Sequence, residues 1–482
     1  MLKRVVLAAA GAGMVMLFAQ QCGYGSASLA DTGPSAFYPA PEQESASIVT
    51  VTDGDGRLHM AHTGWDGKTK DFIYYGTCKG PTCTTSRDGW KFATIPFARA
   101  TKVQLAVTGD GRPRLHVIAY SAPELSQYNR SYSYGECEDD CTDPENWRFA
   151  EVALSGDSLL SDVLNARVPE RTFALTADGR PRFIFTDANY IIEPDHYGAF
   201  LMSCEADCID KANWKETNLA IQLEGGYPTE RFTRPVLAVA PDGTTGVLAN
   251  VYAFDEQGKD LKQGLYFYSC RQGCDDRKAW TRTFILETGG GSIPGPSWDL
   301  AFTRDSQPRI AQFLGDGMPE DRQILAHQLI YIYCKSACEK EDSWFANPVN
   351  PGKGIGEGAD LVLDDADRPR IAMVTADGQV AIARCDEDCE TKEPKWKAEL
   401  VEPISVPEKE RPQALPFHCD GEVWNARMPS LTLVEGRAVV GYDIVVSARC
   451  FYKHFQEPVP SFTFHDIFHG SRVASLPLAG ES

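Results

Sequence analysis

The chain has 482 residues, 43% hydrophobic and 10% aromatic, which is ample for a packed core and excludes intrinsic disorder. Its net charge of −20 is spread along the sequence rather than gathered in a tail. A diffuse acidic surface favours solubility and argues against nucleic acid as a partner, because no stretch could neutralise a row of phosphates.

At the N-terminus, Lys3 and Arg4 precede an apolar run from Val5 to Ala19. This is the pattern of an export signal, too short and wrongly flanked for a transmembrane helix. Residues 1–30 are read as the signal peptide, with cleavage after Ala30 and Ser28 at the third position back. Cys22 offers a rival end: it resembles the lipidated cysteine of bacterial lipoproteins, although Gln20 and Gln21 replace the small residues that motif wants. A lipid there would tether the protein to a membrane without spanning it. Residues 31–44 read as a linker, and residues 45–482 as one repeat domain.

From residue 45 two phrases alternate. The first is a hairpin: "VTDGDGRLHMAHT", "VTGDGRPRLHVIAYS", "LTADGRPRFIFTD", "VAPDGTTGVLANV", "FTRDSQPRIAQFL", "LDDADRPRIAMVT" and "LVEGRAVVGYD". The second is an aromatic run ending in two close cysteines, then acids and a tryptophan, as in "LYFYSCRQGCDDRKAWTR". It supplies six local pairs: Cys78/Cys83, Cys137/Cys141, Cys204/Cys208, Cys270/Cys274, Cys334/Cys338 and Cys385/Cys389. The seventh unit carries only Cys450, and elimination pairs it with Cys419 in the long connection before it. The first cysteines recur every 51 to 67 residues, a period that marks an array or a propeller.

The second unit serves as template. "KVQLAVT" and "RLHVIAY" alternate apolar with small or polar residues around the turn "GDGRP" and predict a hairpin. "SYSYGEC" and "NWRFAEVAL" predict strands three and four. Four antiparallel strands in each of seven units predict an all-β, seven-bladed β-propeller. The cysteine pair then sits at the turn into the outermost strand, where a blade frays most readily. Closing so small a loop restricts the unfolded chain by roughly 2 kcal/mol. The tryptophan is expected to lie over that turn, between blades. Zinc is excluded, because pairs some sixty residues apart, with no histidine at ligand spacing, do not converge on one ion.

The turn "TSRDGWKF", Thr85 to Phe92, resembles a shortened Asp-box of sialidase-type propellers. The other copies keep an acid and the tryptophan: Asp143/Trp147, Asp210/Trp214, Asp275/Trp280, Glu341/Trp344 and Glu390/Trp396. The whole unit is similar to cysteine-containing propeller repeats of exported bacterial proteins. The resemblance implies the fold, and it implies little about activity, because Asp-boxes lie away from the sialidase active site. The Arg-Ile-Pro motif of sialidases is missing from the sequence, and seven units fit that six-bladed family poorly.

Propeller geometry places the two-to-three and four-to-one connections at one end and the hairpin turns at the other. The longer loops mark the binding end. It is expected to present Asp195, His196 and Tyr197, Trp298, Trp65 and Trp424, with Arg171 and Arg234 at the start of strand one in successive units. The two arginines suit an anion site in the axial funnel, or else ion pairs with acids such as Glu170 and Glu230. At the hairpin end, Arg114, Arg182, Arg309 and Arg370 are expected to form ion pairs with the acidic cysteine turns. No phosphate loop, dinucleotide fingerprint or nucleophile elbow occurs, so no cofactor is expected and no catalytic residue is named. The sequence therefore predicts an exported, monomeric, non-catalytic propeller in the periplasm, at the cell surface or secreted. It would bind a glycan or protein partner through its loop-rich face, with the membrane reached only through a lipid on Cys22. The alternative is an exported carbohydrate-active hydrolase or lyase with a sialidase-like funnel.

Overall fold

The computed structural model describes residues 35–37, 39, 44–65, 71–120, 130–155, 171–188, 197–220, 230–253, 263–288, 297–314, 328–349, 355–375, 377–402, 419–452 and 461–478. Within them lie seven separate four-stranded antiparallel sheets, the blades of a β-propeller. Blades one to six each use four consecutive strands, the first innermost. In blade two, strand Pro113–Tyr120 is buried at seven of its eight positions, Arg114 and His116 included, because it lies between two strands and is covered on both faces, whereas the inner strand Ala100–Val107 buries only Val103 and Leu105. Its hairpin closes with Thr108 N–H on the Arg112 carbonyl at 2.9 Å and Gly111 at φ 85°, a conformation glycine adopts without strain.

Among the described residues seven apolar clusters form the core, one at each interface between neighbouring blades. The strand-four tryptophan extends these layers to the rim. Trp147 meets Tyr75 of the preceding blade edge-on at 5.1 Å, Trp214 meets Tyr134 at 5.4 Å, and Trp344 meets Phe267 at 5.3 Å.

All six local disulfides close within their own blades: Cys78–Cys83, Cys137–Cys141, Cys204–Cys208, Cys270–Cys274, Cys334–Cys338 and Cys385–Cys389. The indole N–H of the tryptophan then donates to the carbonyl of the second cysteine in blades one to five: Trp90 to Cys83, Trp147 to Cys141, Trp214 to Cys208, Trp280 to Cys274 and Trp344 to Cys338. In blades one to four the 3-10 turn between them is capped by Ser86, Asp143, Asp210 or Asp276. In blade four the capping acid is thus Asp276, while Asp275 pairs with Lys215 of blade three at 2.8 Å. The repeated Pro-Arg clamps the same turn from below. Arg114, Arg182, Arg309 and Arg370 donate to the carbonyls of Cys137, Cys204, Cys334 and Cys385 and pair with Glu138, Glu205, Glu390 and Asp386.

Blade six corrects the reading of its own turn. The Cys389 carbonyl does not receive the tryptophan N–H as its five counterparts do. It accepts the side-chain amide of Asn347 in blade five at 3.4 Å, and the Trp396 indole N–H has no hydrogen-bond partner among the described residues. Seven positions separate Cys389 from Trp396, one more than in blades two to five. Blade one takes up the same seven with its capped 3-10 turn, and among the described residues no such turn follows Cys389. Glu390, the acid expected there, faces blade five instead: its side chain pairs with Arg309, and its carbonyl accepts the Tyr333 hydroxyl at 3.0 Å. Trp396 still packs between blades, edge-on to Tyr331 at 5.6 Å.

Blade seven departs from the sequence reading in two ways. Its outer strand is Ser35–Phe37, paired with Ser461–Pro477 (Ser35 opposite Ser475, Phe37 opposite Val473), so this part of the expected linker closes the ring. Three residues are too few to show the two-residue alternation of a strand, which is why the sequence reads as a linker there. Its other strands, Cys419–Val434, Arg437–Tyr452 and Ser461–Pro477, run to 16, 16 and 17 residues. Val434 and Arg437 pair at the hairpin end, so the extra length lies at the loop-rich end. Cys419 therefore opens an inner strand, directly opposite Cys450, instead of sitting in a connecting loop.

Candidate functional site

The innermost strand of each blade turns one edge to the axis, and an exposed strand edge carries unpaired backbone groups. Neighbouring blades supply partners for some of them. Leu361 N–H of blade six donates to Asp299 Oδ2 of blade five at 2.7 Å, and Leu431 N–H of blade seven donates to Asp360 Oδ2 of blade six. Ser47 N–H of blade one donates to Asp443 Oδ2 of blade seven at 2.6 Å, and Val103 N–H of blade two to Ser47 Oγ at 3.2 Å. A carboxylate buried in this way is tolerable because it is bonded to donors that would otherwise be unpaired.

Arg171, just before the inner strand of blade three, crosses the axis. Its Nη2 donates to Asp360 Oδ1, its Nη1 donates to the Leu361 carbonyl at 3.4 Å, and Nη1 stands 3.5 Å from Asp299 Oδ2. Its own carbonyl accepts Leu237 N–H of blade four at 2.7 Å. One guanidinium thus ties blades three, five and six. The side chains of Asp299 and Asp360 are 3% and 6% exposed, against 33% for Arg171. Burial pushes the Asp299 carboxyl up to about 7 against the pull of Arg171, and Asp360 adds to the rise. Burial likewise raises Asp443 to about 7, opposed by its bonds from Ser47 and Ser471. For Arg171, burial disfavours the charge, but Asp299 and Asp360 outweigh it and hold the pKa above its ordinary value.

A cavity of about 370 Å³ begins at Arg171 and Asp360 and follows the inner strands of blades one, two, three, six and seven. It extends to Val51, Val107 and Leu175, level with the hairpin turns. The cavity therefore lies toward the hairpin end, away from the loops expected to mark the binding face. Among the described residues no group of three or more His, Cys, Asp or Glu side chains could hold a metal ion. None of their helices is long and apolar enough to cross a membrane.

The residues singled out from sequence fall in different places. Arg171 is paired with Asp299 and Asp360, acids 128 and 189 residues away in the chain, while Glu170 lies outside the described residues. Arg234 lies at a bulge of blade four with φ 50°, and its carbonyl accepts the Trp298 indole N–H at 2.9 Å. Trp298 itself is 2% exposed and packs with Val236, Leu300 and Ile310, so it is a core residue and no loop aromatic. Trp65 stands at the loop-rich end as expected, 49% exposed, as the last residue of a strand whose other seven positions are buried. Tyr120, which the sequence reading missed, ends the matching strand of blade two with the same pattern and is 37% exposed. Asp195 and His196 lie outside the described residues, as does Cys22. Tyr197 opens strand three of blade three, and Trp424 sits opposite Val446 in blade seven; the side chains of both lie outside the described residues.

Asp299, Asp360 and Asp443 were also missed. Their signal was an aspartate inside an apolar strand, in "SWDLAF", "GADLVL" and "GYDIVV". Lone acids rarely occupy such positions unless they are paired.

No family model matches the chain, and no curated protein matches it in sequence. Solved structures do resemble it. A polysaccharide lyase, an ulvan lyase bound to a -[GlcA(1-4)Rha3S]- unit, is similar with a TM-score of 0.47 at 9% identity, covering 89% of this chain and 95% of that one. The α-L-arabinofuranosidase Arb93A of Fusarium graminearum gives 0.40 at 11% identity over 77% and 96%. A protein of unknown function from Dyadobacter fermentans gives 0.40 at 10% over 92% and 98%. At about a tenth identity, no residue role carries over from any of them to this chain.

Proposed function

We propose that the chain is an exported, monomeric, non-catalytic propeller that binds carbohydrate on its loop-rich face. The carrying observation is the matched pair Trp65 and Tyr120. Each ends an otherwise buried strand on neighbouring blades and is partly exposed, Trp65 at 49% and Tyr120 at 37%. Exposed aromatic faces held on rigid strands suit stacking against sugar rings. Export is supported by the leader-like residues 1–30 and by six disulfides, which persist in oxidising compartments. A glycan array probed with the mature protein tests the reading, and an array on which no glycan is bound would refute it.

One observation favours the second reading, a carbohydrate-active hydrolase or lyase. Asp299 and Asp360 share one guanidinium, and a carboxyl with a pKa near neutrality can donate a proton at working pH. Against it, both carboxyls are almost wholly buried and both accept backbone N–H groups of the next blade, which leaves little room for a polymer to reach them. Release of reducing ends, or of unsaturated uronides absorbing in the ultraviolet, from the array hits would establish the enzyme, and loss of that release in Asp360→Asn would place it here.

A further inference from the structure

The axial cavity is separate from the face that carries Trp65 and Tyr120, and its chemistry is different. Its volume of about 370 Å³ falls within the usual range for small-molecule sites, roughly 300–1,000 Å³. One part of the wall is apolar, with Phe173, Val362, Met428 and Leu431. The other part offers hydrogen bonds. Gln104 lines the cavity half-buried, and its amide has no hydrogen-bond partner among the described residues. An amide offers both donors and an acceptor. Arg171 lines it as well, and an arginine carries five N–H donors, of which the contacts to Asp360 and Leu361 use two. With a third of its side chain exposed, donors remain for a ligand.

Charge selects the class. The charged residues of the wall are Lys102, Arg171 and Asp360; Arg171 already faces Asp360 and Asp299, so an anion drawn to it competes with two resident carboxyls, and an incoming cation meets both Lys102 and the guanidinium. Hydroxyl groups face neither penalty, since they accept from Arg171 and Gln104 and donate to Gln104, while C–H faces lie on the apolar wall. Two of the lining blades, one and seven, are tied together along the wall: Thr50 N–H donates to Ser430 Oγ at 3.0 Å, and the hydroxyls of Thr52 and Thr432 bond at 2.8 Å.

We infer that the axial cavity, between Arg171 and the hairpin turns, binds a small neutral hydroxylated molecule: a single sugar unit or a polyol. It does so independently of the loop-rich face.

The test is saturation-transfer NMR followed by calorimetry on the mature protein. The probes are D-glucose, D-galactose, L-arabinose and myo-inositol, with D-glucuronate and D-glucosamine as charged counterparts. At least one neutral probe is expected to bind with a Kd of about 10 mM or tighter. Gln104→Leu, close in volume and without the amide, is expected to weaken it by about tenfold with the thermal midpoint held. The inference is overturned if no neutral probe binds, if only a charged counterpart binds, or if Gln104→Leu binds the neutral probe as tightly as the parent. Polymer binding in Trp65 and Tyr120 variants reads the other face, so the two sites can fail separately.

Discussion

His116 sits in the second strand of blade two, wholly buried, with its ring stacked on Phe183 at 4.4 Å and near Phe173 at 5.7 Å. Neither ring nitrogen has a hydrogen-bond partner among the described residues, and burial drives its pKa down from 6.5 to about 3. The unfolded chain takes up a proton there as pH falls through about 6.5, while the folded chain refuses it until about 3. Stability is therefore fully present above pH 6.5 and is lost progressively as pH falls across that window. At pH 5 the gap amounts to RT ln(1 + 10^1.5), about 2 kcal/mol, and at pH 7.5 it is near zero. His116→Phe keeps a flat ring among aromatic neighbours, breaks no hydrogen bond and removes the proton. Urea unfolding followed by tryptophan fluorescence, disulfides intact, should show the variant gaining about 2 kcal/mol over the parent between pH 7.5 and pH 5. All other titrating groups are common to both proteins and cancel. A difference independent of pH would mean that the folded protein protonates His116, and would refute the picture of a dry, partnerless imidazole between blades two and three.

Other consequences are equally direct. Arg171→Ala strands two buried carboxyls and is expected to cost about 3–5 kcal/mol in chemical unfolding, whereas an unchanged midpoint would show that the axial ion pairs do not hold the blades. Ala36→Pro removes a donor from the three-residue closing strand, and the thermal midpoint should fall by several degrees, about what 1–3 kcal/mol produces; no fall would mean that the ring does not depend on Ser35–Phe37. Non-reducing peptide mapping should recover Cys419 joined to Cys450, and changing both to Ser should cost about 3–4 kcal/mol, more than losing one local pair. Recovery of Cys419 joined to Cys22 would contradict that pairing.

What the sequence made legible was local. The cysteine pair, its tryptophan and the Pro-Arg of the hairpin lie within about thirty residues of one another and recur, so periodicity revealed the blades and even their fastening. The same periodicity concealed the exception at Cys389, where one residue more before Trp396 and no capped turn hand its carbonyl to Asn347 of the neighbouring blade. What the sequence hid otherwise was long-range. Asp299, Asp360 and Asp443 act on N–H groups 62, 71 and 395 or 396 residues away, and no spacing rule connects them. Trp298 was misplaced because "GGGSIPGPSW" is rich in glycine and proline up to its last residues, while the strand begins at Ser297. Tyr120 is hidden in the sequence because it ends a strand, whereas the turn residues that flag a binding aromatic mark loops. Seven buried positions followed by an exposed ring is a pattern of burial, and burial is fixed only once the neighbouring blade is in place.

The most direct measurement is a titration of the mature protein with the strongest glycan from the array, alongside Trp65→Ala, Tyr120→Ala and the double variant. If the loop-rich face recognises carbohydrate by stacking, each single change weakens binding by about tenfold or more, and the double variant falls further, with thermal midpoints preserved because both rings are exposed. Binding undiminished in the double variant, with the protein still folded, would contradict the account.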